Sequence, residues 1–167
     1  MNLSWDEHHL LGAFFAASKS RDDSTKCGCV IVGVDNEVRS TGYNGLARGV
    51  EYKKERMERP TKYYWFSHSE RNAIYNAAMM GIALKNCTIY VTNPPCSDCA
   101  IAIINSKISR VVIPEYGNTT GKLGGSKWKE SCGIANEMFK EANVQYDRIN
   151  ITEHMAKIIK LLGIKID

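Results

Sequence analysis

The sequence lacks any hydrophobic run long enough to cross a bilayer, since its longest apolar stretches, such as Leu10 to Ala17, are far too short. It also lacks internal repeats and low-complexity tracts. The N-terminal segment carries the acidic pair Asp6 and Glu7, where a secretory signal peptide would carry positive charge. These absences predict a cytoplasmic protein with no membrane partner, and a location in the host cytoplasm if the chain is viral.

A strong excess of charge of one sign is also absent. Lys and Arg number 22 and Asp and Glu number 18, which gives a formal net charge of +4. This mild basicity suits an anionic small molecule, but it is weaker than the basicity typical of nucleic-acid-binding domains. We therefore expect a small-molecule partner and no nucleic acid.

The length and composition are those of one globular domain. With 167 residues, of which 44% are hydrophobic and 24% charged, the chain is long enough to bury a core of its own. The same proportions exclude a disordered chain, a collagen-like chain and a coiled coil. We expect a single domain over residues 1–167.

The order of the predicted elements indicates an α/β fold. Ser4 to Glu7 has the form of a capping box, which predicts a helix over 5–19. Strands at 27–34 and 37–43, joined by a turn at 35–36, predict an antiparallel hairpin. Further strands are predicted at 87–92, 110–113 (ended by Pro114) and 144–148, and further helices at 67–80 (ended by Gly81), 97–106, 126–143 and 152–162. This alternation predicts a three-layer α/β/α arrangement around a mixed five-stranded sheet, with mostly parallel strands after the hairpin.

Two segments have no clear periodicity of hydrophobic residues. Residues 45–66 contain six basic and three acidic residues, and loops of that length are usually functional or partly disordered. A solvated insertion is the alternative. The glycine-rich segment 117–125 lacks the Lys-Ser ending of a P-loop, so we predict a connection there rather than a phosphate-binding loop.

Two short motifs carry the residue types of a zinc site: His68-Ser69-Glu70 and Pro95-Cys96-Ser97-Asp98-Cys99. Cys96 and Cys99 lie three residues apart at the start of a predicted helix, where the helix dipole favours thiolates and both sulfurs can reach one ion. His68, at the start of the preceding helix, would add an imidazole nitrogen. Three protein ligands are typical of catalytic zinc, because the fourth position stays open for water.

Glu70 is predicted to move protons rather than to bind the metal. Positions two apart on a helix do not share a face, so Glu70 is poorly placed as a fourth ligand beside His68. A carboxylate next to the open position can act as a general acid and base. The alternative of a structural zinc site would need a fourth protein ligand.

The remaining cysteines leave that alternative open. Six cysteines in a protein predicted to be cytoplasmic indicate metal binding or catalysis more than disulfides. Cys29 and Cys87 lie in apolar predicted strands and are expected in the core. Cys27 and Cys29 could also form a second zinc site with a histidine of the first helix. The candidates for a fourth or second-site ligand are Cys27, Cys29, Cys87, Cys132, His8 and His9.

The sequence resembles the deoxycytidylate (dCMP) deaminases, a family of the zinc-dependent cytidine and deoxycytidylate deaminase superfamily. The resemblance extends over residues 4–148 and includes both motifs above. It also includes the segments Asp23–Gly28, Gly42-Tyr43-Asn44-Gly45 and Thr61-Lys62-Tyr63. The family usually has alanine where Ser69 stands. The resemblance implies that this residue acts through its backbone carbonyl, so we expect serine to be tolerated there.

The resemblance implies a cytidine-deaminase-like fold and hydrolysis of dCMP to dUMP and ammonia, which supplies dUMP for thymidylate synthesis. His68, Cys96 and Cys99 would bind Zn²⁺, and Glu70 would protonate N3 of the cytosine ring and carry protons to the leaving ammonia. Asn44 would hold the sugar hydroxyl. The resemblance further implies a homohexamer that is activated by dCTP and inhibited by dTTP.

Other assignments are more open. Ser24, Thr25 and Lys26 are candidates for the 5′-phosphate because they precede the hairpin, although Lys26 could equally be a solvated charge. Tyr64 and Trp65 could form a wall of the base pocket or pack against the protein, and packing is favoured. Alternatives to dCMP deamination are the same chemistry on tRNA adenosine, cytidine or dCTP, and a non-catalytic zinc-binding module.

Overall fold

The computed structural model describes residues 2–115 and 126–164, so the glycine-rich segment 117–125 lies outside the described residues. In chain order the elements are α1 (Trp5–Ala17), β1 (Gly28–Val32), β2 (Val38–Tyr43), β3 (Gly45–Leu46), a 3-10 turn (Lys54–Arg56), α2 (Lys62–Trp65), β4 (Phe66–Ser67), α3 (Ser69–Met80), β5 (Thr88–Val91), α4 (Ser97–Asn105), β6 (Arg110–Glu115), α5 (Ser126–Glu141), β7 (Gln145–Asn150) and α6 (Glu153–Leu161). Within these ranges, no helix has the length and hydropathy that a membrane span requires.

Five strands form a mixed sheet in the order β2-β1-β5-β6-β7. β1 pairs antiparallel with both β2 and β5, with Cys29 opposite Gly42 on one side and Val91 on the other. β5, β6 and β7 are parallel to one another. The structure therefore confirms the predicted α/β class, the N-terminal hairpin and the parallel strands that follow it.

Helices cover both faces of this sheet, because alternate strand residues point to opposite sides. Cys29 and Ile31 of β1 belong to a core that also contains buried residues of α3, α4 and α5. Val30 and Val32 belong to a second core with α1 and α6. The predicted three-layer α/β/α arrangement is thus confirmed.

The first helix begins and packs as its sequence predicts. Ser4 and Glu7 form the expected capping box, in which the Ser4 N–H donates to Glu7 Oε2 at 2.8 Å and the Glu7 N–H donates to Ser4 Oγ at 3.3 Å. Gly28 allows α1 to lie close to β1, because a Cβ atom there would be only 2.0 Å from the carbonyl oxygen of Ala13.

α3 lies against the edge of the sheet. Among the described strands, β2 has one neighbour, β1, and two of its carbonyls accept hydrogen bonds from asparagines of α3. The Asn72 side chain donates to the Tyr43 carbonyl and the Asn76 side chain to the Thr41 carbonyl, both at 2.7 Å. These bonds satisfy edge groups that would otherwise be open to pairing with another chain, and they hold α3 in place.

The segment 45–66 contains short elements that the sequence did not predict. The chain enters it through β3 and returns through β4, which pair antiparallel with Gly45 opposite Ser67. The 3-10 turn and α2 lie between them. Because β4 ends at Ser67, this small two-stranded sheet places the start of α3, and with it His68, close to the end of β2.

The expectation that Pro114 ends a strand is wrong. β6 continues to Glu115, and Pro114 lies opposite Ile149 of β7. Pairing between β5 and β6 extends only to Val112. Beyond Val112, β7 is the one strand among those described that pairs with β6. A proline is tolerated there because its missing N–H interrupts no hydrogen bonds to β5.

A candidate metal centre at two helix N-termini

Two helices that begin near the carboxyl end of β5 bring the predicted ligands together. His68 is the N-cap residue of α3 and Cys96 is the N-cap residue of α4, and both have extended backbone conformations. Cys99 lies in the first turn of α4 and is fully buried. The N-terminal ends of both helices carry partial positive charge, which favours thiolate at this position.

The three ligand atoms have the spacing that a zinc ion requires. His68 Nδ1 lies 3.4 Å from Cys96 Sγ and 3.5 Å from Cys99 Sγ, and all three atoms lie within 4.8 Å of one another. Tetrahedral zinc, with bonds of about 2.05 Å to nitrogen and 2.3 Å to sulfur, would hold a nitrogen and a sulfur ligand about 3.5 Å apart. The donor set and its geometry therefore fit zinc.

Hydrogen bonds within the cluster shift the pKa values of its members in opposite directions. The pKa of Cys96 falls to about 4, because its sulfur accepts a hydrogen bond from the Cys99 thiol and interacts with His68. The same bond raises the pKa of Cys99. Burial disfavours the charged form of His68, but its bond to Cys96 and the charge of Glu70 outweigh burial and raise its pKa. The lowered pKa favours thiolate at Cys96, whereas Cys99 and His68 would each release a proton on binding a metal ion.

Glu70 lies beside this cluster in the first turn of α3. It is buried, and burial raises the pKa of its carboxyl group against the opposing charge of His68. Its Oε2 atom accepts a 2.9 Å hydrogen bond from the Ser69 hydroxyl. Gly42 permits this placement, because a Cβ atom there would lie 2.3 Å from the Ser69 carbonyl oxygen, so the first turn of α3 contacts β2 directly.

Residues 20–27 form a hydrogen-bonded loop before β1. At its end, burial raises the pKa of the Cys27 thiol to about 12, and the negative charge of Glu70 contributes to this rise. Asp22 is the centre of this loop. Its Oδ1 atom accepts hydrogen bonds from the backbone N–H groups of Ser24 and Thr25 at 2.9 and 3.3 Å. Its Oδ2 atom pairs with the Lys62 ammonium group at 2.7 Å.

Asn44 belongs to the same network. Its Oδ1 atom accepts a 2.8 Å bond from the Cys27 N–H, and its Nδ2 atom donates to the Thr25 carbonyl at 2.9 Å and to Asp22 Oδ2 at 3.3 Å. Both amide protons are therefore used within the protein, and one Oδ1 lone pair is left for a ligand. The sequence predicted a role in substrate binding and missed this contribution to the loop.

The candidate phosphate ligands differ in what they can offer. The Ser24 hydroxyl donates to Asp22 Oδ1 at 2.7 Å and accepts from Lys62 Nζ at 2.6 Å, so its proton is already used. Lys26 is half-buried, and in the described part of the chain its ammonium group forms no ion pair.

The structure does not bring together a second metal site. Over residues 2–115 and 126–164, only His68, Cys96 and Cys99 form a group of three ligands. Cys29 is in the core, and the Cys27 thiol accepts a 2.9 Å bond from the Asn93 amide. The alternative of a second zinc at Cys27 and Cys29 therefore has no support among these residues.

The expectation that Tyr64 packs against the protein is wrong. Its side chain is 89% exposed, so it neither packs nor encloses a pocket within this chain. Trp65 is partly exposed, and the Arg56 guanidinium lies 4.2 Å from its ring centroid. Such a cation–π contact covers one face of the indole.

Sequence reasoning missed three residues near the centre. An Asx turn at Asp22 could have been inferred from Asp22-Asp23-Ser24-Thr25, but no local signal indicates that Lys62 is buried against it. Trp128 of α5 contacts the imidazole of His68, with ring centroids 5.7 Å apart and a tilt of 60°. Its position, 60 residues after His68 in the chain, gives no sequence signal for this contact.

The chain is similar in sequence to known proteins over the residues of this centre. The family described as the cytidine and deoxycytidylate deaminase zinc-binding region matches residues 3–115, a range that includes the cluster and Glu70. An uncharacterised deaminase encoded in the luxG 3′ region of Aliivibrio fischeri is 37% identical over 145 residues, which cover 87% of this chain and 93% of that protein. Deoxycytidylate deaminase of Mus musculus is 34% identical over 163 residues, covering 94% of this chain and 85% of the mouse protein.

A solved structure supports the fold. The crystal structure of dCMP deaminase from the cyanophage S-TIM5, in its apo form, superposes with a TM-score of 0.68 and covers 89% of this chain and 100% of that one. The two sequences are 17% identical. At that identity, the likeness concerns the arrangement of helices and strands alone.

Proposed function

The chain belongs to the cytidine and deoxycytidylate deaminase family, and from that premise we propose that it hydrolyses dCMP to dUMP and ammonia, supplying dUMP for thymidylate synthesis. The observation that carries the proposal is the convergence of His68, Cys96 and Cys99 beside the buried carboxyl group of Glu70. The mouse relative is named a deoxycytidylate deaminase and matches most of this chain, so dCMP is the first substrate to test.

His68, Cys96 and Cys99 would hold a zinc ion through one nitrogen and two sulfur atoms. Zinc bound by three protein groups acts as a Lewis acid that lowers the pKa of a water molecule towards neutrality. Structural zinc sites usually have four protein ligands. The three that converge here, with no fourth in the described ranges, favour a catalytic site over a structural one.

Glu70 would transfer protons. Because burial raises its pKa, its carboxyl group can both accept and donate a proton closer to neutral pH than an exposed glutamate can. The Ser69 hydroxyl occupies Oε2, which leaves Oε1 to accept a proton from the attacking water. Glu70 would deliver that proton to N3 of the cytosine ring and a later one to the leaving ammonia.

The loop around Asp22 would bind the rest of the substrate. Asn44 would use its remaining Oδ1 lone pair to accept a hydrogen bond from the sugar hydroxyl, and the Ser69 carbonyl would contact the base. Of Ser24, Thr25 and Lys26, we favour Lys26 for the 5′-phosphate, because it carries a charge and the Ser24 hydroxyl is already committed to Asp22.

Regulation and assembly remain predictions of the family resemblance. They comprise activation by dCTP, inhibition by dTTP, a homohexamer and a cytoplasmic location. Rate measurements with each nucleotide added, and size-exclusion chromatography with light scattering, would test the first three.

A substrate panel tests the proposed reaction. Purified protein loaded with zinc is incubated with dCMP, dCTP, cytidine and tRNA, and ammonia release is measured. We expect dCMP to react fastest. Faster deamination of dCTP, cytidine or tRNA adenosine would reassign the substrate, and zinc binding without any turnover would favour the non-catalytic module.

The variant Glu70→Gln tests the catalytic role. Glutamine has the shape of the protonated carboxyl group but cannot transfer a proton, so we expect zinc to be retained and the rate to fall by about 10²–10⁴-fold. Glu130→Gln, on the exposed side of α5, is the matched control and should keep the parent rate. A Glu70→Gln protein as active as the parent would show that the assignment is wrong.

A further inference from the structure

The first turn of α4 needs a hydrogen-bond acceptor from outside the helix. The N–H groups of a first turn have no partner within their helix, and an N-cap Ser, Thr, Asp or Asn side chain normally supplies one. In α4 the N-cap residue is Cys96, which offers a sulfur atom, a weak acceptor, in place of a side-chain oxygen. Its sulfur lies in the metal centre instead.

Ser131 of α5 supplies the missing acceptor. Its hydroxyl oxygen accepts a 3.0 Å hydrogen bond from the Ser97 N–H and lies 3.0 Å from the Ser97 hydroxyl. Ser97 directly follows Cys96 and lies two residues before Cys99. The bond therefore holds the peptide that links the two sulfur ligands.

Two neighbours of Ser131 on α5 contact the centre or the segment that leads into it. Trp128, three residues earlier, packs edge-on against the His68 imidazole. Cys132, four residues after Trp128, donates a 3.8 Å hydrogen bond from its thiol to the Pro94 carbonyl. Residues at these spacings share one face of a helix, so a single face of α5 contacts both segments that carry the ligands.

We propose that Ser131 is a positioning residue of the metal centre. By capping α4 from a neighbouring helix, it holds Cys96 and Cys99 at the spacing that zinc requires, and Trp128 restrains the His68 ring from the same side. Zinc affinity then depends on α5, which lies beyond the residues 3–115 matched by the family. This inference rests on the proposed function only in taking zinc as the ion.

The variant Ser131→Ala tests the inference through metal affinity rather than through activity. Loss of a group that orients metal ligands typically weakens metal binding by about 10–100-fold. We expect a loss of at least about tenfold in competition with a chromophoric zinc chelator. Ser131→Thr keeps the hydroxyl group and should restore most of the affinity.

Ser106→Ala is the matched control. The Ser106 hydroxyl donates to the Ala102 carbonyl at 2.8 Å at the opposite end of α4, so its loss changes the same helix without touching the ligands. We expect parent zinc affinity for this variant. The absorption spectrum of the cobalt-substituted proteins gives a second readout, because it reports the geometry of the thiolate ligands, and it should change in Ser131→Ala alone.

The outcomes are distinguishable. Equal zinc affinity and equal cobalt spectra for Ser131→Ala and the parent would overturn the positioning role while leaving the proposed function intact. Equal losses in Ser131→Ala and Ser106→Ala would overturn it as well, since the effect would then be general to α4. If Ser131→Ala does not fold, parent affinity and spectrum in Ser131→Val, which has the shape of Ser131→Thr but no hydrogen-bonding group, would overturn it. A parent protein that binds no zinc would overturn both proposals.

Discussion

Lys62 is a buried charge whose one ionic partner in the described residues is Asp22. The lysine is only 5% exposed, and its ammonium group donates to Asp22 Oδ2 at 2.7 Å and to Ser24 Oγ at 2.6 Å. Burial alone would raise the pKa of Asp22, but the bonds from Lys62 and Ser24 outweigh it and lower that pKa. The pair connects α2 to the loop that contacts Asn44. Its loss should therefore lower the stability of the protein and disturb the position of Asn44.

Replacing Lys62 tests the weight of this pair. In Lys62→Met, Asp22 would stay buried without a counter-charge, so we expect the free energy of unfolding to fall by about 3–5 kcal/mol. Urea denaturation followed by circular dichroism measures the change. Lys157→Met removes an exposed pair with Glu153 and should have no measurable effect. If the two variants lose equal stability, the buried pair contributes nothing.

For single residues, the sequence reveals which side chains can bind a metal better than it reveals which side chains contact one another. The ligand types of His68, Cys96 and Cys99 can be recognised because metal coordination requires specific side chains at specific spacings. Lys62 could not be recognised as a buried ion, because its partner Asp22 lies 40 residues away and any exposed loop can contain a lysine. A residue's burial is a property of the packed chain.

α1 is attached to the sheet by an ion-pair network at its first turn. The Arg110 guanidinium of β6 donates two bonds of 2.8 Å to the Asp6 carboxylate and one of 2.7 Å to Asp147. The Tyr90 hydroxyl also donates to Asp6, at 2.7 Å. The bonds from Arg110 are the main reason why the pKa of Asp6 lies below its usual value, although partial burial opposes them.

The lowered pKa of Asp6 predicts a dependence of stability on pH. A carboxyl group with a depressed pKa in the folded state stabilises the protein above its unfolded pKa, and this stabilisation is lost as the pH falls through the folded value. Asp6→Asn should therefore be less stable than the parent at about pH 6, and the difference should narrow towards about pH 3. Thermal unfolding at several pH values measures it. Asp35→Asn, in an exposed turn, is the control; a pH-independent difference for Asp6→Asn would contradict the prediction.

Elements were predictable where their signals are local. The capping box at Ser4, the turn before β2 and the left-handed Gly81 that ends α3 are each encoded within a few residues. The elements of 45–66 were missed because β3 and β4 are two residues long and depend on pairing between residues 20 and 22 positions apart. The continuation of β6 through Pro114 was missed for a similar reason. It depends on pairing with β7, which extends to Glu115, whereas pairing with β5 stops at Val112.

Across the whole molecule, the centre joins parts of the chain that pack on the same face of the sheet. α3 supplies His68 and Glu70, α4 supplies Cys96 and Cys99, and α5 supplies Ser131. The three helices share one hydrophobic core. An ion bound at the centre would therefore add a direct link between α3 and α4 in addition to their packing, and it would be bound by the folded state more tightly than by the unfolded chain.

Removal of the metal should consequently lower the stability of the whole molecule. A ligand bound only by the folded state stabilises it by about 3–4 kcal/mol when its free concentration is 100 to 1,000 times its dissociation constant. We expect excess chelator to lower the thermal unfolding temperature of zinc-loaded protein, and added zinc to restore it. Glu70→Gln should show the same shift as the parent, because Glu70 is not among the three proposed ligands, whereas Cys99→Ser should show little or none. An undiminished shift in Cys99→Ser would mean that the stabilising ion binds elsewhere in the molecule.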